Sequence, residues 1–534
     1  MFNWNLFNSR KDFYLGAFAE SYNFDHDHHH VRVDARNLNR FVEILRFDMG
    51  FILLSDIVLT PAAQHPIYQE KYKNVVWDVT YHLFHLEAHQ RLQLHMLLRD
   101  GESVPTISHW FPSARPLEIE VIRKIQQEEH LVQKLTLPKP RSNPNLSEPP
   151  YLEELSQWYL FDINHPLTKG QWELAVESRQ GKILHSNLSS GHWKKHIEER
   201  ICQKPFFSTS SLLDQLSTDK SLMVNVTWAK TVEDYFHIKI PEKAQALRMI
   251  FIELSRIHHH LGVLKNIAMD LELPDPAQVC LEFRDHIKFL VSFYSARRLS
   301  LGPAFFGGLS HDLPPGWIQE VSSFVRSLEK GLSLFHKMVA LHPLARMRLK
   351  AGSISAQDAL QAGITGPSLR AAGVNFDLRK SRPFYFYQDM YFDVPVGING
   401  DSHDRMLIFF EECRQSMKIF NQLLENLPIG EFKTDSPLVD LINKTSIAES
   451  DWRHAILDAQ RVWSSQYTAI EGANGELGFH LVLHPESINV YGFKIKSNAL
   501  LMANTLDVFL NQCPLVDLSP TLSSLDINSS FLDR

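Results

Sequence analysis

Histidine and carboxylate side chains crowd one tract, Asp25-His26-Asp27-His28-His29-His30, and that donor set suits zinc or nickel. A specific site needs ligands fixed by packing, and this tract reads as an exposed loop, so adventitious binding or plain solvation is expected. His82, His85, His89 and His95 fall on a predicted pair of strands. Alternation along a strand puts His82 and His85 on opposite faces, which argues against one shared metal. The four cysteines, Cys202, Cys280, Cys413 and Cys513, form no CxxC pair. They fit a reducing compartment, without disulfides and without a self-contained iron–sulfur or zinc site. His258, His259 and His260 follow one another on a predicted helix and so point in three directions. His260 reads as a buried, hydrogen-bonded core residue before it reads as a functional one. No GxxxxGK[ST] and no post-strand GxGxxG occurs, which argues against NAD(P) or ATP binding.

Another dense stretch is Gly352 to Arg405. Ser355 with Asp358 three residues on signals a helix start, and Gly363 a stop. Gly366-Pro367 opens a second short helix that Gly373 closes. Aromatic residues alternate in what reads as an extended run, Phe384 to Tyr387 and Tyr391 to Val394. Gly397 and Gly400 precede a long helix that starts at Asp401 or Ser402. So many special backbone positions imply a loop packed tightly on a rigid core, whether for structure or for function.

The elements that must hold these residues are legible in outline. At 534 residues the chain is long enough for two or more domains with real cores. A formal charge of -7 gives no electrostatic reason for nucleic-acid binding. No apolar run approaches the roughly 18 residues that span a bilayer, and the amino end lacks the pattern of a secretory signal. Residues 1–137 read as α+β, with strands at Val75–Leu86 and Arg91–Leu98 and an amphipathic helix at Val121–Leu135. Residues 138–150 fall in a proline-rich polar linker. The second domain, 151–534, opens with strand, turn and strand over Trp158–Ser186. Long helices follow at Ala244–Asp270, Pro276–Leu299, Pro315–Leu341 and Ser402–Leu427, and a small sheet lies near Glu471–Val482. The expected class is α+β: a small N-terminal domain linked to a mainly helical bundle with small flanking antiparallel sheets.

Motifs in the second domain resemble the complex I subunit that carries the quinone pocket, and the large subunits of membrane-bound [NiFe] hydrogenases such as formate hydrogenlyase. They are Glu253-Leu254-x-Arg256-Ile257-x-x-His260, the Gly307-Gly308 to Asp312-Leu313-Pro314 loop and Ile354 to Ala359. Gly366-Pro367-Ser368-Leu369-Arg370, Asp377-Leu378-Arg379-Lys380, Val394 to Gly397 and Gly400-Asp401 to Asp404-Arg405 also match. Weaker similarity, Val104 to Glu118, links the first domain to the companion complex I subunit. The layout is that of a fused C/D-type chain. The resemblance implies structural roles for Arg256, His260, Asp312, Asp358, Arg370, Asp377, Arg379, Asp401 and Arg405. It makes His165, Thr168 and Lys169, in the turn Asn164 to Gly170, candidates for the quinone pocket, although His165 reads first as a turn-stabilising side chain. The family's second histidine there is Lys169 in this chain, and its partner tyrosine, expected near Leu213-Asp214, is missing. Lysine donates a hydrogen bond to a carbonyl but relays no proton near neutrality unless its pKa shifts far.

The hydrogenase nickel ligands are four cysteines, and here Cys202 is kept while Pro205, Asn528 and Phe531 stand at the other three positions. Two thiolates from each motif must share the metal, so an [NiFe] centre cannot be assembled. The resemblance implies a peripheral cytoplasmic subunit on the inner face of the membrane, binding no cofactor alone. It would shape a quinone-like acceptor pocket beside a small iron–sulfur subunit and membrane subunits. The alternative is a non-catalytic scaffold coupling partners to an antiporter-like membrane module.

Overall fold

The computed structural model describes residues 19–25, 28–62, 75–99, 102–128, 156–217, 220–297, 305–444, 447–458, 465–483 and 487–533. The linker 138–150, the amino end and Gly302-Pro303-Ala304 lie outside them. The chain forms two compact units. One takes residues up to Leu160 together with Leu174–Asn187, and the other takes Phe161–Glu173 with Leu188 onward.

The first unit is built on a five-stranded sheet of order β1-β2-β5-β4-β3. Its strands are β1 (Ala19–Asp25), β2 (His28–Val33), β3 (Leu53–Pro61), β4 (Val75–His85) and β5 (Gln90–Arg99). β2 runs parallel to β5, and the other neighbours are antiparallel. Helices α1 (Leu38–Phe47) and α2 (Ala114–Glu128) accompany the sheet, and α2 packs on β3. Of the tract expected as an exposed loop, Asp25 and His28–His30 are instead strand, Asp25 opposite His28 and Phe24 opposite His29, while His26 and Asp27 lie outside the described residues. His29 is buried, with Nε2 2.7 Å from Gln90 Oε1. The tract forms strand because its β-bridges to β1 and β5 satisfy a backbone that solvent would otherwise have to serve. The helix expected from Val121 begins at Ala114 and is described to Glu128. A second, three-stranded sheet has the order β6 (Gln157–Phe161), β7 (Glu173–Arg179), β8 (Lys182–Ser189). The region read as strand, turn, strand thus holds three strands, because Gln180 and Gly181, both at positive φ, make a further tight turn.

The second unit is organised around α4 (Glu242–Asp270), which follows α3 (Ser221–Tyr235). Pro241 precedes α4, and its first two turns are built from helix formers such as Lys243, Ala244, Ala246 and Leu247. It packs against α3, α5 (Pro274–Ser295), α7 (Ser402–Glu425) and α8 (Leu518–Leu525). A helix surrounded in this way is buried on nearly every side, so His258, His259 and His260 are all buried although they point in three directions. α6 (Trp317–Phe335) completes the bundle against α5 and α7. Each fully buried Leu or Phe in this core contributes ~1.5–3 kcal/mol. A terminal antiparallel sheet of order β11-β10-β9 joins β9 (Ser465–Gly472), β10 (Gly475–Leu483) and β11 (Val490–Lys496).

The Gly352–Arg405 run follows its turn chemistry. Ser355 Oγ accepts from Asp358 N at 3.1 Å, and Asp401 Oδ1 accepts from Asp404 N at 2.8 Å, each capping a helix. Gly366 opens the short helix Pro367–Ala371 at φ 74°. Gly400 sits at φ 66°, where a Cβ would strike the Ile354 carbonyl. The aromatic stretch is not strand. It is irregular, with a 3₁₀ turn at Tyr387–Asp389, where Tyr387 turns inward to a buried carboxylate.

Candidate functional site

The charged residues of that run form a knot in the bundle interior. Arg370 donates through Nε and Nη2 to Glu412 Oε1 at 2.9 and 2.6 Å, and through Nη1 to Glu471 Oε1 at 2.8 Å. Arg379 grips Asp377 with Nη2 to Oδ2 at 2.7 Å and reaches Glu253 at 3.4 Å. Arg256 donates to Glu253 at 3.1 Å and to the Glu471 and Gly472 carbonyls at 2.7 and 2.9 Å. Tyr387 and Ser416 hydroxyls both donate to Glu253, at 2.6 and 2.5 Å. His260 Nε2 lies 2.9 Å from Glu412 Oε2. One network therefore ties the loop run to α4, α7 and β9, and the ion-paired side chains in it are fully buried.

Four carboxylates face three guanidiniums in this knot, and burial sorts them. Burial pulls Glu412 upward, but Arg370 and the His260 hydrogen bond hold its carboxyl far below the usual range. Burial, with Asp377 adding to it, raises Glu471 despite Arg370, making it the carboxylate that most readily keeps a proton. Burial lowers His260 to about 4 in spite of Glu412. A neutral His260 donates from Nε2 to the Glu412 carboxylate.

The quinone-pocket candidates His165, Thr168 and Lys169 lie in a different place from the knot. The turn after β6 is closed by His165, whose Nδ1 accepts from Leu167 N at 3.1 Å, and by the buried Thr168 hydroxyl facing the carbonyls of Asp162, Ile163 and His165. Both side chains shape the turn. Lys169 follows in the left-handed region, φ 52°, and its side chain leaves the turn toward the bundle. Its Nζ donates to Ser523 Oγ on α8 at 2.7 Å and lies 3.9 Å from Asp270 Oδ2 at the end of α4. The Ser523 hydroxyl donates in turn to Asp270 Oδ2. An ammonium carries three donors and Ser523 engages one. The Lys169 side chain is 37% exposed.

A second polar cluster joins the same two helices. His259 Nε2 lies 2.6 Å from Asp526 Oδ2, and Lys220 Nζ lies 3.7 Å from the same oxygen and 5.1 Å from the centre of the Phe531 ring. Burial would raise Asp526, yet His259 and Lys220 outweigh it and lower its pKa to about 2. Nearby chain holds the positions of the hydrogenase ligands. Cys202 ends a short helix Ile197–Cys202, Pro205 bridges to Asn489, Asn528 caps Ser529–Leu532, and Phe531 is buried. One thiol with proline, amide and phenyl groups does not fit nickel.

Of the motif residues, Arg256, His260, Arg370, Asp377 and Arg379 come together in the knot. Arg405 stands beside it, fully buried, donating to Ser524 Oγ, the Gly400 carbonyl and Ser402 Oγ at 3.0, 2.9 and 2.9 Å. It thereby fastens Asp401 and the loop run to the helix that presents Ser523. Asp312 lies apart, paired with Lys243 at 2.6 Å, and Asp358 serves its own helix start. Sequence reasoning missed Glu412, Asp270, Ser523, Lys220 and Asp526. An acid such as Glu412 inside an otherwise apolar helix stripe was the available signal. Among the described residues, Asp401, His403 and Asp404 could gather ligand atoms around one ion. Both carboxylates are already spent on backbone N–H groups, Asp404 Oδ2 accepting from Ile398 and Asn399.

A helical bundle with a charged knot and small flanking sheets defines the hydrogenase large-subunit-like class of fold. Residues 274–534 match the family described as respiratory-chain NADH dehydrogenase, 49 Kd subunit, and residues 31–122 match the 30 Kd subunit of the same enzyme. The C/D subunit of NADH-quinone oxidoreductase from Bdellovibrio bacteriovorus is 33% identical over 378 residues, covering 70% of this chain and 67% of that protein. The D subunit of NADH-quinone oxidoreductase from Myxococcus xanthus is 30% identical over 374 residues, covering 68% and 89%. Its counterpart from Methylacidiphilum infernorum is 31% identical over 382 residues, covering 70% and 90%. The chain belongs to the complex I family, as a fused C/D-type subunit.

Proposed function

We propose that the chain is a peripheral subunit of an NADH-quinone oxidoreductase that shapes the electron-acceptor site, with Lys169, Ser523 and Asp270 at the acceptor head-group. The observation that carries this reading is the chain of hydrogen bonds from the Lys169 ammonium through Ser523 to Asp270, presented at the tip of a turn. Reduction of a quinone to a quinol takes two electrons and two protons, and the protons come from solvent, to which the Lys169 side chain is partly open. The four scattered cysteines offer no cluster set, so the electrons come from an iron–sulfur partner. Lys169 donates to a quinone carbonyl and stabilises the negative charge that grows there as electrons arrive. Ser523 and Asp270 orient the amine, while His165 and Thr168 hold the turn. The subunit sits on the inner face of the membrane beside membrane subunits, and among the described residues no helix is long and apolar enough to cross. Residues 138–150 link its two domains.

Affinity purification of the intact assembly from its native membrane, with partner identification and metal analysis, tests the proposal. Iron in stoichiometric amount, carried by a cysteine-rich partner, supports it. An assembly without iron leaves the scaffold reading, and stoichiometric nickel refutes both.

A further inference from the structure

α6 runs through a π turn at His336–Ala340 into a short helix, Pro343–Arg348. Between Ser323 and Lys350 the sequence holds six Lys or Arg and a single Glu, although the chain as a whole carries -7. The exposed face of α6, with the π turn, carries Arg326, Lys330, Leu334 and Lys337, with Glu329 the one acid among them. Beyond Lys337 the stripe continues as large apolar side chains left in solvent: Leu341 is 54% exposed, Leu344 61% and Met347 62%. Arg346 and Lys350 flank them and are exposed as well. Solvated apolar side chains ringed by one sign of charge mark an interaction surface.

This surface adjoins the candidate acceptor site. Arg348 donates to the Asp270 carbonyl at 3.4 Å and to the Val516 carbonyl at 2.9 Å, and pairs with Asp517 at 3.0 Å. The residue it fastens, Asp270, is the one whose carboxylate receives the Ser523 hydroxyl. A partner lying on Leu344 and Met347 would therefore sit beside the place where electrons must arrive.

We propose that this surface docks a protein partner that presents carboxylates around an apolar centre, and that this partner delivers electrons to the Lys169 site. The second half rests on the function proposed above; the first stands on charge complementarity and exposure. Attraction between a basic rim and an acidic one steers encounter and fixes register, while the apolar centre supplies the affinity. A lipid surface is the poorer occupant. Interfacial segments present a long apolar face of Trp, Phe and Leu, whereas here Phe324 and Phe335 are buried and the exposed stripe Leu341, Leu344 and Met347 spans only two turns.

The test uses the full chain in its native membrane assembly, with a benzophenone amino acid in place of Leu344 or Met347. Illumination is expected to join the chain to another protein of the same assembly, at a segment where Asp or Glu flank apolar residues. The triple variant Lys337→Glu, Arg346→Glu, Lys350→Glu should weaken association by roughly tenfold or more at low ionic strength, with high salt narrowing the gap. Circular dichroism and Tm confirm that it folds; if it does not, the corresponding Gln variants give a smaller loss of the same sign. Crosslinking to lipid or to a second copy of this chain overturns the proposal, as does unchanged association of the charge-reversed chain. Lys169→Ala separates the two readings: it should leave docking intact while acceptor reduction falls. Full acceptor reduction in Lys169→Ala, with the crosslink kept, would sink the proposed acceptor site and spare the docking surface.

Discussion

Replacing Arg370 with methionine removes the centre of the buried knot. In the native chain its guanidinium donates to Glu412, to Glu471 and to the Phe376 carbonyl, and none of these side chains reaches solvent. A buried pair broken from one side costs ~3–5 kcal/mol, because the stranded charge keeps its desolvation penalty. Here Glu412 bears that penalty, while Glu471 takes up a proton. For a unit of this size the loss corresponds to a fall in Tm of roughly 4–7 °C. Thermal unfolding of the purified chain, followed by circular dichroism, reads it directly. Adding Glu412→Gln and Glu471→Gln to Arg370→Met removes the stranded charges and should recover more than half of the loss, a coupling that independent sites would not show. A single-variant loss below ~1 kcal/mol, or triple-variant losses that simply add, would refute the reasoning.

His260 sets a pH window. Its folded pKa of about 4 lies below the unfolded value of roughly 6.5. Between these values the unfolded chain binds more protons, so stability is full above pH ~6.5 and falls as pH drops toward ~4. The His260 share of that fall is ~3 kcal/mol. Urea midpoints at the two ends of the window should differ less in His260→Gln than in the native chain, and equal differences would contradict this. Gly400→Ala forces a Cβ toward the Ile354 carbonyl at φ 66° and should cost ~1–3 kcal/mol; a neutral effect on the denaturant midpoint would show that the loop gives way.

Much of this arrangement was written locally. Ser355, Gly366 and Asp401 act on their own backbones, so caps and turns could be read from residue type alone. The same holds for the β4–β5 pairing. The long-range pairings were not legible. Glu412 meets Arg370 from 42 residues away, and Lys169 meets Ser523 from 354 away, and nothing in either segment's pattern names the other. The Asp25–His30 tract misled for a related reason: its polar composition suggested solvent, but pairing with β1 and β5 overrode it. The aromatic run from Phe384 alternated like a strand, yet among the described residues no strand pairs with it.

The Lys169 amine itself is the most direct test. In the assembly purified from its native membrane, Lys169→Ala should reduce the rate of short-chain quinone reduction by roughly 10- to 100-fold, the loss of one charged donor to the developing oxyanion. Iron content and protein composition should stay unchanged, because the amine supports neither the knot nor the bundle core. Quinone reduction at the native rate, in an assembly that is otherwise intact, would contradict the account.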